Sequence, residues 1–289
     1  MSNKKQNDIY TKILGKINNL PSLPQIIYKI EDTLSDPDST VKDIVDVLKF
    51  DPGIASRVLR LANSAYIGIP HTVSSLKNAV IILGQKRIHS LVLTWSILSF
   101  FKSYKSTPLD LKRYWKHSVT VGMIGESIAR HLKRYEIVEP EEVFCSGILH
   151  DIGKLVLSIY EPEIISNTFK EAKRTNTPFF QNENDYVSHS KIGSIVASHW
   201  SFPKNLIDAI QFHHSPFELE TVKKAVLIVH ISDIVSHMIG INMYFGEEIP
   251  EISEDAVNAL GLNPEYLRVI AHQTIEKGKQ LESLFIIVS

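Results

Sequence analysis

Apolar residues recur at three- and four-residue intervals along almost the entire chain, and hardly any stretch alternates with period two. In a helix that spacing gathers apolar side chains on one face, whereas a half-buried strand needs alternation, so the sequence predicts an all-α fold. Ile9, Ile13, Ile17 and Leu20 form a first stripe; Ile26, Ile27, Ile30 and Leu34 form a second, stopped by the turn-forming Asp36-Pro37-Asp38. Ser39 or Thr40 caps a third helix carrying Val41, Ile44, Val45, Val47 and Leu48, and Asp51-Pro52-Gly53 opens a fourth, Ile54 to Ala62. Ser74 or Ser75 caps a helix to Leu83 that Gly84 stops, and Lys86 to Phe101 restarts at once.

The polar stretch from Ser103 to Pro108 is the best internal boundary, predicting one helical lobe over residues 1–110 and a second over 111–289. Helices are expected there from Leu109 to Leu132, from Glu141 into His150, from Glu161 to Arg174, around Asp185 to Trp200, and after Pro203. Ala225 to Ile239 reads as a strongly apolar helix containing His230, Asp233 and His237. Glu254 to Leu260 and Pro264 to Leu281 close the chain.

At 289 residues with 44% apolar content, folding buries roughly three quarters of the surface of the unfolded chain, so no metal is needed merely to hold the fold. Any metal argument is therefore functional. The single cysteine, Cys145, excludes an internal disulfide framework and a cysteine-rich zinc module, and points to a reducing compartment, by default the cytoplasm. No apolar stretch follows the basic N-terminus, so no signal peptide is expected. The apolar windows Val80 to Leu83 and Leu91 to Phe101 are too short to span a bilayer, and no membrane insertion is expected. No further domain, receiver or cyclase, is expected on the chain.

A net charge of −1 hides an asymmetry: residues 51–134 hold 13 Lys and Arg against 3 Asp and Glu, whereas residues 135–289 hold 11 against 22. The basic middle suits an anionic nucleotide or an acidic partner, or else packs against the acidic end. With no Cys/His finger and no basic stripe interleaved with aromatics, direct nucleic-acid binding ranks last.

Twelve histidines are available, and one stands beside a carboxylate: His150-Asp151, in the run Gly147-Ile-Leu-His-Asp-Ile-Gly-Lys154. The expectation is that an apolar helix delivers this pair before Gly153 breaks it. Lys154 lies four residues from His150 and three from Asp151, a spacing that turns all three to one cavity if the helical turn persists. Neutral imidazole plus carboxylate is a ligand set for iron, manganese, nickel or zinc. His117, His189, His213-His214 and Asp233 are further candidates. A carboxylate between Ile231, Ile234 and Val235 needs a cation or several donors if it faces inward. Taken singly, each is more simply read as a hydrogen-bonded core or surface group.

The joint order of His117, His150-Asp151 and Asp233 resembles the HD superfamily of metal-dependent phosphohydrolases, and His189 with His213-His214 resembles the extra ligands of its two-metal members. Among these are the HD-GYP phosphodiesterases of cyclic dinucleotides, from which the sequence departs: His213-His214 is followed by Ser-Pro-Phe-Glu, with no Gly-Tyr-Pro signature. Arg113 stands where some relatives with two or three metals have a carboxylate. The N-terminal half decides which branch the sequence resembles most. Leu20-Pro-Ser-Leu-Pro24, Asp51-Pro52, Leu59-Arg-Leu-Ala-Asn-Ser-Ala-Tyr66, Ala79 to Gly84, and Trp200 with Pro203 resemble the HDOD domain of bacterial signalling proteins, over roughly residues 15–240.

The resemblance implies a cytoplasmic output module that binds a signalling protein or a nucleotide. It also implies a metal centre for one or two divalent ions, which many HDOD members have lost and which stands vestigial in them. His117, His150, Asp151 and Asp233 would form the first subsite, with His189, His213 and His214 completing the second and Asp151 bridging. The alternative is a phosphohydrolase acting on a nucleotide or cyclic dinucleotide, with Asp151 catalytic and Lys154 neutralising phosphate charge. Asn63 and Tyr66 are expected to be structural or to face a partner.

Overall fold

The computed structural model describes residues 3–18, 24–64, 66–102, 107–132, 138–184, 187–244 and 247–286. Residues 20–23, Ala65, residues 103–106 of the polar boundary and Asp185 lie outside them. The described residues are helical without a strand. They run as α1 (Asn3–Asn18), α2 (Gln25–Ser35), α3 (Val41–Lys49), α4 (Pro52–Ala62), α5 (Leu76–Leu83), α6 (Gln85–Lys102), α7 (Leu111–Leu132) and α8 (Pro140–Leu149). After these come α9 (Ile152–Tyr160), α10 (Pro162–Thr175), α11 (His189–His199), α12 (Lys204–Phe212), α13 (Lys224–Met238), α14 (Glu254–Ala259) and α15 (Pro264–Ile286), with 3-10 turns at Phe179–Asn182 and Pro216–Glu218.

Local chemistry sets several of these ends. Asp43 Oδ2 accepts from the Thr40 N–H at 2.8 Å at the start of α3, and Asp51 Oδ1 takes the Ile54 N–H at 3.0 Å ahead of Pro52 in α4. Ser75 Oγ accepts from the Asn78 N–H to open α5, and Gly84 stops it with φ 81°, a left-handed angle that favours glycine.

The helices divide into two compact units, residues 1–22 with 104–272, and residues 23–103 with 273–289. This differs from a 1–110 and 111–289 division at both chain ends, because α1 packs within the larger unit: Lys16 Nζ donates to Glu161 Oε1 at 2.7 Å and to the Tyr160 carbonyl at 2.6 Å. In the smaller unit, Asn63 clamps the loop after α4. Its side chain donates to the carbonyls of Leu59 and Val73 and accepts from the Val73 N–H, each at 2.8 Å.

The larger unit has a continuous apolar core in which Val121, Ile124 and Ile128 of α7 meet Val143 of α8, Ile228 and Ile231 of α13, Val257 of α14 and Ile270 of α15. Glycines let α7 and α8 cross closely, since a Cβ on Gly147 would stand 2.7 Å from Gly122 Cα. Gly153 does not break the helix that precedes it. The break falls at His150-Asp151 itself, between α8 and α9, and Gly153 sits in the first turn of α9. There a Cβ would overlap the His189 carbonyl and stand 2.8 Å from Gly193 N, so this glycine allows α9 and α11 to touch backbone to backbone. Among the described residues one stretch, Pro140–Tyr160, is long and apolar enough to cross a membrane, although the sequence windows predict none; 89% of its most apolar window is buried inside the protein.

Candidate metal centre

The break between α8 and α9 places His150 and Asp151 at the junction of two buried helices, and the neighbouring helices bring the other polar groups to it. His117 comes from α7, His189 from the first turn of α11, His213 and His214 from the end of α12, and Asp233 from the middle of α13. His117, His150, Asp151, His189, His213 and Asp233 are all buried, and His214 is the partly exposed one. The structure thus brings all seven together.

Their nearest atoms form two groups joined by one carboxylate. Asp151 Oδ2 lies 3.1 Å from His150 Nε2 and 3.8 Å from His117 Nε2, while Asp233 Oδ1 lies 3.2 Å from His117 Nε2 and 3.8 Å from His150 Nε2. On its other side, Asp151 Oδ1 lies 2.9 Å from His189 Nε2 and 3.7 Å from His213 Nε2. His189 Nε2 is in turn 3.1 Å from His213 Nε2 and 3.2 Å from His214 Nε2. One donor atom from each of Asp151, His189, His213 and His214 lies within 4.8 Å of the rest, as does one from each of His117, His150 and Asp151.

Most of the rings are oriented from behind. His117 Nδ1 bonds the Ile241 carbonyl at 2.9 Å, His150 Nδ1 the Gly147 carbonyl at 2.7 Å, and His213 Nδ1 the Ile210 carbonyl at 2.8 Å. A carbonyl only accepts, so each Nδ1 carries the hydrogen and, in the neutral ring, each Nε2 turns a lone pair inward. His189 Nδ1 is held by the Glu183 carboxylate at 2.6 Å, and Glu183 also accepts the His189 N–H at 2.8 Å. Such outer acceptors fix ring orientation and raise ligand basicity.

The charges are equally constrained. Burial disfavours the ionised carboxylates, but His150, Lys154 and His189 hold Asp151 well below the usual carboxylate range, and His117 and His237 do the same for Asp233. Burial pushes His213 and His214 well below the ordinary imidazole value, with neighbouring imidazoles adding to it, so both are neutral. His189 goes the other way: burial lowers it, but the Glu183 and Asp151 carboxylates outweigh that and raise it to about 9. Lys154 is buried, donates to Asp151 Oδ2 at 2.9 Å, and is raised by that carboxylate despite the cost of burial. Its Nζ stands 5.0 Å from the Phe179 ring centroid.

These donors fit divalent transition metals. His117 Nε2, His150 Nε2, Asp151 Oδ1 and Asp233 Oδ1 are buried and make no hydrogen bond within the protein, although they stand within 4 Å of one another's neighbours in the centre. Buried polar atoms without partners are costly, and several converging on one point is the arrangement that a cation stabilises. Imidazole mixed with carboxylate suits iron, manganese, nickel or zinc better than calcium or magnesium. At the His214 edge lies a cavity of about 380 Å³, lined also by Phe180, His230, Asn176, Glu248 and Pro250. Phe180 stacks on His214 with centroids 4.1 Å apart.

Sequence reasoning did not single out Glu183, His237 or Glu247, which stand behind or beside the candidate ligands. Glu183 and Glu247 lie outside helices and read as surface acids. Only the four-residue step from Asp233 to His237 carried a signal, since it puts both on one helix face.

A curated relative, an uncharacterized protein of Treponema pallidum, is 25% identical over 225 residues, covering 77% of this chain and 43% of the relative, so the chain spans under half of that protein's length. The crystal structure of an HDOD domain protein of unknown function from Geobacter sulfurreducens has a TM-score of 0.74 and 23% identity, covering 99% of this chain and 97% of that one. A candidate phosphohydrolase from Shewanella amazonensis has a TM-score of 0.72 and 24% identity, covering 94% and 97%. The HDOD domain profile matches residues 20–216, more than half of the sequence. Motif order, all-helical fold and this match lead to one conclusion: the chain belongs to the HDOD domain family.

Proposed function

We propose that this chain is a cytoplasmic signal-transduction output module that retains a two-ion HD-type metal centre and acts by binding a signalling protein or a nucleotide. The observation that carries the reading is the convergence of buried atoms that make no hydrogen bond, from His117, His150, Asp151 and Asp233, continued through Asp151 to His189, His213 and His214. A vestigial site in which the same groups only bonded one another would leave fewer of them orphaned. The first subsite is His117, His150, Asp151 and Asp233; the second is Asp151, His189, His213 and His214.

A second reading, phosphoester hydrolysis, is favoured by the cavity at His214, which gives a small anionic ligand a place beside the centre. Divalent ions, when bound, supply Lewis acidity toward a phosphoryl group. Within the chain, Lys154 keeps the Asp151 carboxylate ionised and oriented, and this positioning role accounts for its burial better than direct contact with phosphate. Phe180 fixes the face of His214 at the cavity.

The test is elemental analysis of protein purified without oxygen. About two divalent ions per chain are expected, falling close to zero in Asp151→Asn and to about one in His213→Ala, by the ligand count of each subsite. Wild-type protein that takes up no divalent ion overturns the metal centre. Metal-loaded protein that cleaves neither cyclic dinucleotides nor simple phosphodiesters removes the hydrolytic reading and leaves the binding one.

A further inference from the structure

His117, His150, His189 and His213 share one arrangement: an acceptor holds one ring nitrogen from behind, and the other turns inward. His237 has a related arrangement, with a carboxylate facing one ring nitrogen at longer range and the other nitrogen turned toward Asp233. It lies on α13 four residues after Asp233, with its side chain 6% exposed. Its Nε2 is 3.4 Å from Asp233 Oδ1, its Nδ1 faces Glu247 Oε2 at 3.9 Å, and its ring centroid is 5.1 Å from that of His117. One donor atom from each of His117, Asp233 and His237 lies within 4.8 Å of the other two. His237 Nδ1 and Glu247 Oε2 are both buried without a hydrogen-bond partner.

We propose that His237 is a further metal ligand, joining His117 and Asp233 at the first subsite, with Glu247 as the carboxylate that orients its ring. The inference rests on the two-ion reading and extends it. Three observations support it independently of any motif. Two ligands four residues apart on one helix face are well placed to share an ion. His237 Nδ1 and Glu247 Oε2 face each other at 3.9 Å, both buried and neither hydrogen-bonded, which is costly unless the ring has work to do. Glu247 behind His237 also matches Glu183 behind His189, so each subsite has one carboxylate-backed histidine. The centre then has three imidazoles at each subsite: His117, His150 and His237 at one, and His189, His213 and His214 at the other. That raises the nitrogen share of the first subsite and favours borderline transition metals over oxygen-seeking ions.

The experiment strips the full chain of metal with chelator and titrates it with Mn²⁺, counting the free ion by its electron paramagnetic resonance signal. Fe²⁺ retained after anaerobic desalting provides a second probe. Wild type is compared with His237→Gln, Glu247→Gln and, as an exposed control, Lys170→Gln. The expected result is a loss of about tenfold to a hundredfold in affinity for one of the two ions in both site variants, with the other ion and the control unchanged. Melting of the stripped proteins reports folding, and if His237→Gln does not fold, Glu247→Gln decides. Wild-type affinity for both ions in the folded variants overturns the role of His237 and leaves the two-ion centre standing. A wild type that binds neither Mn²⁺ nor Fe²⁺ overturns both.

Discussion

Asp208 shows how a buried charge outside the candidate metal centre is made tolerable. Its side chain is 1% exposed, and it receives Lys204 Nζ and Lys223 Nζ, each at 2.7 Å. Burial raises its pKa, but the two lysines outweigh burial and lower it below the usual carboxylate value. Because the folded value lies below the unfolded one of about 3.9, the folded state favours the ionised form. The stabilisation is complete above the unfolded pKa and is lost as pH falls through the folded one. Asp208→Asn is expected to cost about 2 kcal/mol near pH 7, the scale of hydrogen bonds to a charged group. Urea titrations should show the gap between wild type and variant narrowing below about pH 4; a gap that widens in acid would contradict the assignment. The same scale shows why part of the candidate centre was legible in sequence and part was not. His150-Asp151 and His213-His214 declare themselves because unlike or repeated ligand types stand together. Glu183 and Glu247 stand on irregular segments, where acids are ordinary surface residues, and only the folded chain brings them near His189 and His237.

Among the helices, ends were easier to read than contacts. Thr40, Asp51 and Ser75 act within three residues of themselves, so their effect is local and visible in sequence. The approach of α9 to α11 joins residues 36 apart in sequence, and there Gly153 permits close packing instead of breaking a helix. Gly153→Ala tests that approach. The added methyl meets the His189 carbonyl and Gly193 N, so overpacking should cost about 1–3 kcal/mol or more and move His189. Gly15→Ala, on α1 with nothing within 4 Å of its added Cβ, should instead be neutral or stabilise by up to about 1 kcal/mol. Urea midpoints of the two variants shifting alike would refute the close crossing.

Across the whole molecule, the all-helical pattern was the most legible property, because period three-to-four spacing recurs in every element and survives errors at any one boundary. Membership of the ends was not: α1 is joined to the larger unit by Lys16 and Glu161, a pair 145 residues apart that no local pattern announces. The apolar stretch Pro140–Tyr160 has a further consequence for the life of the chain before it folds. Emerging from the ribosome, it has a mean hydropathy of 1.4 in its best window and the length of a bilayer span. His150, Asp151 and Lys154 stand at its middle, where Asp and Lys cost about 2.5–3.5 kcal/mol each to insert. These polar residues are expected to oppose insertion of the nascent segment into a bilayer until the other helices cover it. The double variant His150→Leu/Asp151→Leu should divert newly made protein to the membrane fraction, while Asp208→Asn stays in the supernatant; identical partitioning would leave the retention of this segment to its neighbours alone.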